Sequence, residues 1–277
     1  MNFHCGKYTL NLNRPHVMGI VNVTPDSFSD GGQFVSTNLA VAHALKLIAD
    51  GADILDIGGE STRPGAEPVS LDEELKRVIP VIEALHKVSS VPISIDTYKP
   101  EVMRLAIAAG ADMVNDVRAL QEEGALEVVS GSHVGVCLMH MQGTPQTMQS
   151  SPSYADVVNE VKQFLTERLD TSLAYGIAKN RILLDPGFGF GKTRVHNIEL
   201  IKHLDSIADI GQPLLVGLSR KSVLAAISGG DEDQRLYAGI AASVISAMKG
   251  AKILRVHDVK ATVDALKVLI AIQQIEI

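Results

Sequence analysis

The chain has 277 residues and a formal net charge of −7, and 46% of its residues are hydrophobic although none is Trp. An acidic chain without a basic tract does not favour a nucleic-acid partner. It has no run of about 18 apolar residues, so no membrane span is expected. Its first residues resemble neither a signal nor a transit peptide, and Cys5 and Cys137 provide no disulfide framework. We therefore expect a cytoplasmic protein.

In chain order, residues 1–14 are expected to form a short hairpin or flap. Eight short apolar runs then alternate with amphipathic helical patterns. The runs are Val17–Asn22, Ile54–Glu60, Ile93–Asp96, Met113–Asp116, Val136–His140, Ile182–Asp185, Leu214–Ser219 and Ile253–His257. Because the runs are apolar throughout, both faces of each strand should be buried, as in a parallel sheet covered by helices. The pattern predicts an α/β fold, a single-domain (β/α)8 TIM barrel over residues 15–277.

The capping and turn residues between the runs lead to two further expectations. Ser70-Leu71-Asp72-Glu73 has the spacing of a capping box and predicts a helix start. Most connections from strand to helix look short, but Thr24–Gly32 and Ser61–Pro68 look long and are rich in turn residues. Long loops of this kind are usually functional or mobile, so we expect both to be mobile until substrates bind.

Polar groups stand where the apolar runs end, and a parallel barrel carries its chemistry at the carboxyl ends of its strands. One set is acidic or amide and comprises Asp96, Asn115 and Asp185; the other is basic and comprises Arg63, Lys221, Arg255 and His257. Carboxylates and an amide can pair with the N–H edge of a nitrogen-rich heterocycle. Arginine offers a planar fork of donors that suits a phosphate or pyrophosphate. The sequence therefore favours a substrate with a polar heterocycle and an anionic leaving group.

Each of these acids has a simpler explanation as well. An Asp at a strand end often caps the next helix, and Thr97 or Tyr98 could share that role with Asp96. The cap explanation is weaker for Asp185, because Pro186 follows it. Three further acids, Asp56, Glu60 and Asp116, could support the site from behind. The role of His140 stays open.

Several familiar motifs are absent. Gly187-Phe-Gly-Phe-Gly-Lys-Thr193 has three residues between Gly and Gly-Lys, where a phosphate-binding loop needs four. A tight turn with Phe188 or Phe190 as a stacking wall explains it better. Zinc is not expected, because Cys137-Leu-Met-His140 lacks a second pair of ligands. No nucleophile elbow is present, which favours direct displacement between two bound substrates.

At these residues the chain closely resembles the dihydropteroate synthases, pterin-binding barrels of bacterial folate biosynthesis. The resemblance covers essentially residues 15–265 and lies in eight motifs in order. They are Met18–Gly32, Asp56–Gly65, Ile95–Pro100, Asn115–Asp116, Leu138–Met141, Leu184–Lys192, Gly217–Ser222 and Arg255–Asp258. One departure is Tyr98, which stands where a small residue is frequent.

The resemblance implies that para-aminobenzoate reacts with 6-hydroxymethyl-7,8-dihydropterin pyrophosphate to give 7,8-dihydropteroate and pyrophosphate. It implies a homodimer, sensitivity to sulfonamides and a Mg²⁺ cofactor near Asn22. It assigns catalytic roles to Asp96, Asp185, Lys221 and Arg255. The substrate-binding residues that it implies are Phe28, Thr62, Arg63, Pro64, Asp96, Asn115, Asp185, Phe190, Gly217, Lys221, Ser222, Arg255 and His257.

Within that set, the pterin is expected against Asp96, Asn115, Asp185 and Lys221. Pyrophosphate is expected against Asn22, Arg255 and His257. The aminobenzoate is expected between the two long loops, beside Phe190 and Ser222. Two alternatives remain: a methyltetrahydrofolate-dependent methyltransferase with the same pterin set, or a non-catalytic pterin-binding paralogue. The methyltransferase would not need the Ser61–Gly65 loop or Ser219-Arg-Lys-Ser222, and both segments are present. Against the paralogue stand the intact site residues Asn22, Arg63, Lys221, Arg255 and His257.

Overall fold

The computed structural model describes residues 1–24, 32–61, 65–229 and 235–274. A closed barrel of eight parallel strands occupies most of this part of the chain. Its strands are β3 His16–Asn22, β4 Ile54–Gly58, β5 Ile93–Asp96, β6 Met113–Asp116, β7 Gly135–Met139, β8 Ile182–Asp185, β9 Leu214–Val216 and β10 Ala251–Val256. Each strand pairs with the next along the chain, and β10 closes the ring against β3. The predicted (β/α)8 fold is confirmed.

Helices cover the outside of the barrel. Their bounds are α1 Gly32–Ala49, α2 Leu71–His86, α3 Pro100–Ala109, α4 Ala125–Ser130, α5 Val157–Ala174, α6 Arg194–Lys202, α7 Leu204–Ala208, α8 Ser222–Ser228, α9 Arg235–Met248 and α10 Val259–Gln274, with a 3-10 turn at Lys179–Arg181. Two connections carry a pair of helices each, α6 with α7 and α8 with α9. In the described part of the chain, no helix is long and apolar enough to cross a membrane.

Residues near the amino terminus form a β-hairpin that plugs the barrel. Strands β1 (Asn2–Cys5) and β2 (Tyr8–Asn11) pair antiparallel. Phe3, Cys5 and Leu12 are buried in one apolar cluster with interior residues of seven barrel strands, namely Met18, Ile54, Met113, Cys137, Leu183, Leu215 and Ile253. These side chains seal the amino end of the barrel, so the opposite, carboxyl end remains for chemistry. Both cysteines are buried and free.

Ser70 caps helix α2, as the capping-box spacing predicts. Its hydroxyl accepts a hydrogen bond from the Glu73 backbone N–H at 3.3 Å. The Glu73 carboxylate accepts instead from Arg77 Nε at 2.9 Å, one turn further along the helix. In a complete capping box the Glu73 carboxylate would bind the Ser70 backbone N–H, but here it binds Arg77 instead.

Candidate active site

A cavity of about 980 Å³ opens at the carboxyl ends of the strands. Its lining includes eight of the residues expected at the site, namely Asn22, Asp96, Phe190, Gly217, Lys221, Ser222, Arg255 and His257. Asn115 and Asp185 are only 4% and 6% exposed. They come from neighbouring segments of the same mouth, at the ends of β6 and β8.

Arg255 spans the mouth of the barrel from β10 to β4 and β5. Its Nε donates to Asp56 Oδ2 and its Nη2 to Asp96 Oδ2, each at 2.6 Å. Asn115 Nδ2 donates to the same Asp56 oxygen at 3.1 Å. Asp56 is fully buried and so supports the site from below, which is one of the two roles that the sequence left open for it.

Asp96 does not cap a helix. Its Oδ2 is bound to Arg255, while the Lys99 backbone N–H at the start of α3 is satisfied by Thr97 Oγ1 at 3.2 Å. Burial raises the pKa of Asp96 to about 7; the Arg255 charge opposes the shift, and Asp56 and Glu74 add to it. The carboxyl group therefore changes charge near neutral pH.

Asp185 and Lys221 carry opposite charges that influence each other at the carboxyl end of the barrel. Burial raises the pKa of Asp185, and the nearby Lys221 charge opposes that shift. Burial lowers the pKa of Lys221 to about 8, and the charge of Asp185 opposes that shift. Asp185 Oδ1 accepts from the Gly187 backbone N–H at 2.7 Å, so it also caps its own turn.

The ammonium of Lys221 faces an aromatic wall. It lies 4.6 Å from the centroid of the Phe190 ring, a cation–π distance. It also donates to the Phe188 carbonyl oxygen. Phe188 itself is fully buried in the core. Of the two candidates for a stacking wall, Phe190 is therefore the one that borders the cavity.

Asn22 and His257 occupy the rim near Arg255. His257 Nδ1 lies 3.1 Å from Ser219 Oγ, which also accepts from the His257 backbone N–H. Gly58 lies between Asn22 and Asp96, and a Cβ there would stand 3.9 Å from Asn22 Oδ1 and 3.7 Å from Asp96 Cβ. In the described residues, no group of three His, Cys, Asp or Glu side chains could hold a metal by itself.

The other two acids at the ends of the apolar runs make structural contacts. Asp116 accepts from the backbone N–H groups of Arg118 and Leu120, both at 2.7 Å. Glu60 Oε2 pairs with Lys99 Nζ at 2.5 Å. Asp116 thus fixes the loop after β6, and the Glu60 pair lies at the border of the cavity, which Glu60 lines.

The expectation of only two long connections was wrong. Residues 140–156, between β7 and α5, form a third. They bring Met148 and Gln149 into the lining of the cavity, and Gln149 Nε2 donates to the Gly189 carbonyl oxygen at 2.5 Å. The turn residues Gln142-Gly-Thr-Pro145 signal this loop in the sequence. Four predicted aminobenzoate contacts, Phe28, Thr62, Arg63 and Pro64, lie outside the described residues.

Comparison with known proteins agrees with this architecture. A family model described as pterin binding enzyme matches residues 18–257, so the fold and its mouth are those of a pterin-binding barrel. The dihydropteroate synthase of Escherichia coli (strain K12) is 52% identical over 261 residues, 94% of this chain and 93% of its own. The chain therefore belongs to the dihydropteroate synthase family.

Solved structures of dihydropteroate synthases closely match the structure of this chain. A Xanthomonas albilineans dihydropteroate synthase with 4-aminobenzoic acid has a TM-score of 0.94 and 52% identity, over 99% of both chains. A structure of the enzyme from the same organism in complex with 7,8-dihydropteroate has a TM-score of 0.89 and 47% identity, again over 99% of both chains.

Proposed function

We propose that this chain is a transferase that joins para-aminobenzoate to a dihydropterin pyrophosphate. The amine nitrogen bonds to the pterin methylene carbon, and the carbon–oxygen bond to pyrophosphate breaks. Pyrophosphate leaves with the bonding electrons, and the amine loses a proton to solvent. The observation that carries the proposal is one cavity bordered by Asp96, Lys221, Arg255 and Phe190, with the buried Asn115 and Asp185 at the same end of the barrel. Close relatives with the same activity favour it over a methyltransferase or a non-catalytic paralogue.

The pterin fits the buried side of the cavity. Asp185 and Asp96 are acceptors for ring N–H groups, and Asn115 can both donate and accept. The same two carboxylates can stabilise positive charge that develops in the pterin ring when pyrophosphate leaves. Groups that bind more strongly in the transition state than in the ground state accelerate the reaction.

The pyrophosphate fits the rim. Arg255 uses Nε and Nη2 on its two carboxylates, and within the described residues its Nη1 donates to no protein group, so that nitrogen can bind an anion. His257 lies on the same rim. Donors that are already in place where negative charge develops are worth several kcal/mol to a reaction.

Mg²⁺ fits this rim as an ion held mainly by substrate. It usually binds one or two protein oxygens together with phosphates and water. Asn22 is half-buried and borders the cavity, and its side-chain amide makes no hydrogen bond within the described segments. Asn22 would hold the ion, which would neutralise charge on the departing pyrophosphate.

The aminobenzoate fits the outer wall. Phe190 offers a ring face, Lys221 a positive charge, and Ser222 an exposed position at the start of α8. The amine is a neutral nucleophile at pH 7, so its attack needs no strong general base. The difficult step is therefore the loss of pyrophosphate.

A homodimer in the cytoplasm is also proposed. Its support is a set of exposed apolar side chains on α9 and α10, namely Tyr237, Ile245, Met248, Val268 and Ile272. Faces of this kind mark subunit contacts. The two buried free cysteines suit a reducing compartment. Light scattering after size exclusion should give twice the monomer mass; a monomer at micromolar concentration would contradict the dimer.

One incubation tests the activity. The chain is mixed with the dihydropterin pyrophosphate, Mg²⁺ and aminobenzoate, and dihydropteroate and pyrophosphate are followed by chromatography. Equal amounts of both products are expected. Binding of pterin without either product would favour the non-catalytic paralogue, and methyl transfer from methyltetrahydrofolate would favour the methyltransferase.

A further inference from the structure

Lys192 is a buried lysine with no acidic partner. It is 3% exposed, and no carboxylate of the described residues lies within ion-pair distance of it. Its Nζ lies 2.8 Å from the Gly187 carbonyl oxygen, 3.0 Å from that of Phe190 and 2.9 Å from His140 Nδ1. Lysine is almost never fully buried unless it is paired, so these contacts call for an explanation.

Its hydrogen bonds match a charged ammonium. An ammonium has three N–H donors and no acceptor, and three acceptors lie at 2.8–3.0 Å. Burial and the charge of Lys192 lower the pKa of His140 to about 3, so the imidazole is neutral and Nδ1 can accept. Burial lowers the pKa of Lys192 well below its usual value; the charge of Asp185 opposes the shift and that of Lys221 adds to it. The three acceptors around Nζ favour the charged form.

The acceptors belong to the turn that follows β8. Gly187 and Gly191 have φ of +68° and +62°, and a Cβ on either would overlap the carbonyl oxygen of His140 or Gln142. The turn is thus pressed against the loop after β7. Each carbonyl group between these glycines accepts a hydrogen bond from a side chain. Lys221 donates to Phe188, Gln149 to Gly189 and Lys192 to Phe190.

The turn presents the aromatic wall and contacts the Asp185 side chain through one hydrogen bond, from the Gly187 N–H to Oδ1 at 2.7 Å. The backbone of Asp185 is fixed by the barrel ladder, where its carbonyl oxygen accepts from the His140 N–H at 3.0 Å. Phe190 lies outside the ladder, and its backbone N–H donates to the Gly187 carbonyl oxygen at 3.1 Å within the turn. Its carbonyl group is held by Lys192, and its ring lies under the ammonium of Lys221.

We propose that Lys192 is a positioning residue for the aminobenzoate side of the site. Its ammonium clamps the Gly187 and Phe190 carbonyl groups against His140 and thereby fixes where the Phe190 ring stands. The inference rests on the proposed function, because it assigns the wall of Phe190 to the aminobenzoate. It adds a buried residue that borders the cavity and that acts on that substrate through the position of Phe190.

The test separates the two substrates. Lys192→Met keeps an unbranched apolar side chain and removes the ammonium with all three donors. The expected result is a rise of at least about tenfold in KM for aminobenzoate, the scale of a lost charged hydrogen bond. The Kd of a dihydropterin without pyrophosphate, measured by calorimetry, should change less than about threefold. Equal losses for both ligands, or no change in either, would overturn the proposal.

A matched control comes from the amino end of the barrel. Arg181 donates to the Val134 and Val129 carbonyl oxygens, both at 2.8 Å, and so makes the same kind of contact away from the cavity. Arg181→Met should lower the melting temperature and leave both KM values unchanged. If it raises KM for aminobenzoate as much as Lys192→Met does, the effect is one of general stability and the proposal is wrong.

A milder variant and a direct probe cover the case in which Lys192→Met does not fold. Tyr154 OH donates to the Gly191 carbonyl oxygen at 2.9 Å, so Tyr154→Phe removes one donor from the same turn. The chain has six Phe residues, and 4-fluorophenylalanine labelling gives each a fluorine signal, with that of Phe190 assigned by Phe190→Leu. The Phe190 signal should shift or broaden in Tyr154→Phe, which adds a seventh fluorine signal, and in Lys192→Met, but not in Arg181→Met.

The fluorine spectrum needs no substrate. An unchanged Phe190 signal in both turn variants refutes the clamp, whatever the activity. A native chain that makes no dihydropteroate refutes the proposed function while the spectrum still reports on the clamp.

Discussion

Arg255 and Asp56 are bound to one another across the mouth of the barrel, with 2.6 Å between Nε and Oδ2. The two residues come from β10 and β4, and Asp56 is fully buried while the Arg255 side chain is 20% exposed. Two nitrogens of the guanidinium are thus fixed by carboxylates, while Nη1 donates to no protein group among the described residues. This arrangement orients a cation before any anion arrives, which avoids reorganisation during the reaction.

Removing the charge of Asp56 should therefore impair catalysis. In Asp56→Asn, Arg255 loses a charged hydrogen bond and the amide of Asn115 faces another amide. We expect kcat to fall at least about tenfold, since a bond to a charged group is worth about 1.5–3 kcal/mol. Steady-state kinetics with both substrates measures it.

Asp53 provides the matched control for Asp56. It binds Arg14 and the Val17 backbone N–H at the other end of the barrel. Asp53→Asn should lower the free energy of unfolding without changing kcat. An Asp56→Asn enzyme with native kcat would show that the pair is only structural.

Replacement of Asp185 by Asn tests the pterin side. The change keeps the shape but puts a donor where the ring N–H groups need an acceptor, and a mispaired buried group costs about 1–3 kcal/mol or more. Calorimetry should show at least about tenfold weaker binding of a pterin without pyrophosphate. Unchanged affinity would place the pterin elsewhere in the cavity.

The activity should have a narrow pH range. Asp96 must be ionised to accept from the pterin, and its pKa is raised to about 7, so pterin binding should strengthen as the pH rises through 7. Lys221 must be charged, and its pKa is lowered to about 8, so activity should fall as the pH rises through 8. A profile of kcat/KM against pH should be bell-shaped.

Two variants test which residue causes each limb of the pH profile. Asp96→Asn should remove the acid limb, and Lys221→Arg should move the basic limb out of range because arginine stays charged. For folding the sign is the opposite: the raised pKa of Asp96 means that the empty protein loses stability as the pH rises from about 4 to 7. Thermal unfolding over that range should show this loss in the native chain and less of it in Asp96→Asn.

The sequence allowed the barrel and the mouth to be predicted because both follow from local patterns. Continuous apolar runs indicate buried parallel strands, and parallel strands bring their polar ends together. Pairing across the mouth could not be predicted, since Arg255 and Asp56 are 199 residues apart. Nor could the burial of Lys192, because a lysine in a glycine-rich turn is usually exposed.

Sulfonamides should compete with aminobenzoate. They are arylamines with a polar group at the opposite end of the ring, so they fit between Phe190 and the start of α8. Inhibition should be relieved by added aminobenzoate and not by added pterin substrate. If saturating aminobenzoate gives no relief, the wall of Phe190 is not the arylamine site.

The carbon–oxygen bond should break before the amine bonds to carbon. No described residue of the cavity is placed as a covalent nucleophile, while Asp96 and Asp185 are placed to stabilise a pterin cation and Arg255 to stabilise the departing charge. The native chain should therefore release pyrophosphate slowly without aminobenzoate, with water trapping the cation, and chelation of Mg²⁺ should stop this release. Sensitive detection of pyrophosphate under single-turnover conditions measures it.

Arg255→Ala gives the matching mutant test, because the side chain acts on the leaving group more than on the pterin. Its turnover should fall by a larger factor than its affinity for a pterin without pyrophosphate. A dissociative path also predicts that the rate of bond cleavage is almost independent of arylamine basicity. Cleavage that strictly requires the amine, at a rate that rises steeply with basicity, would instead establish a concerted displacement.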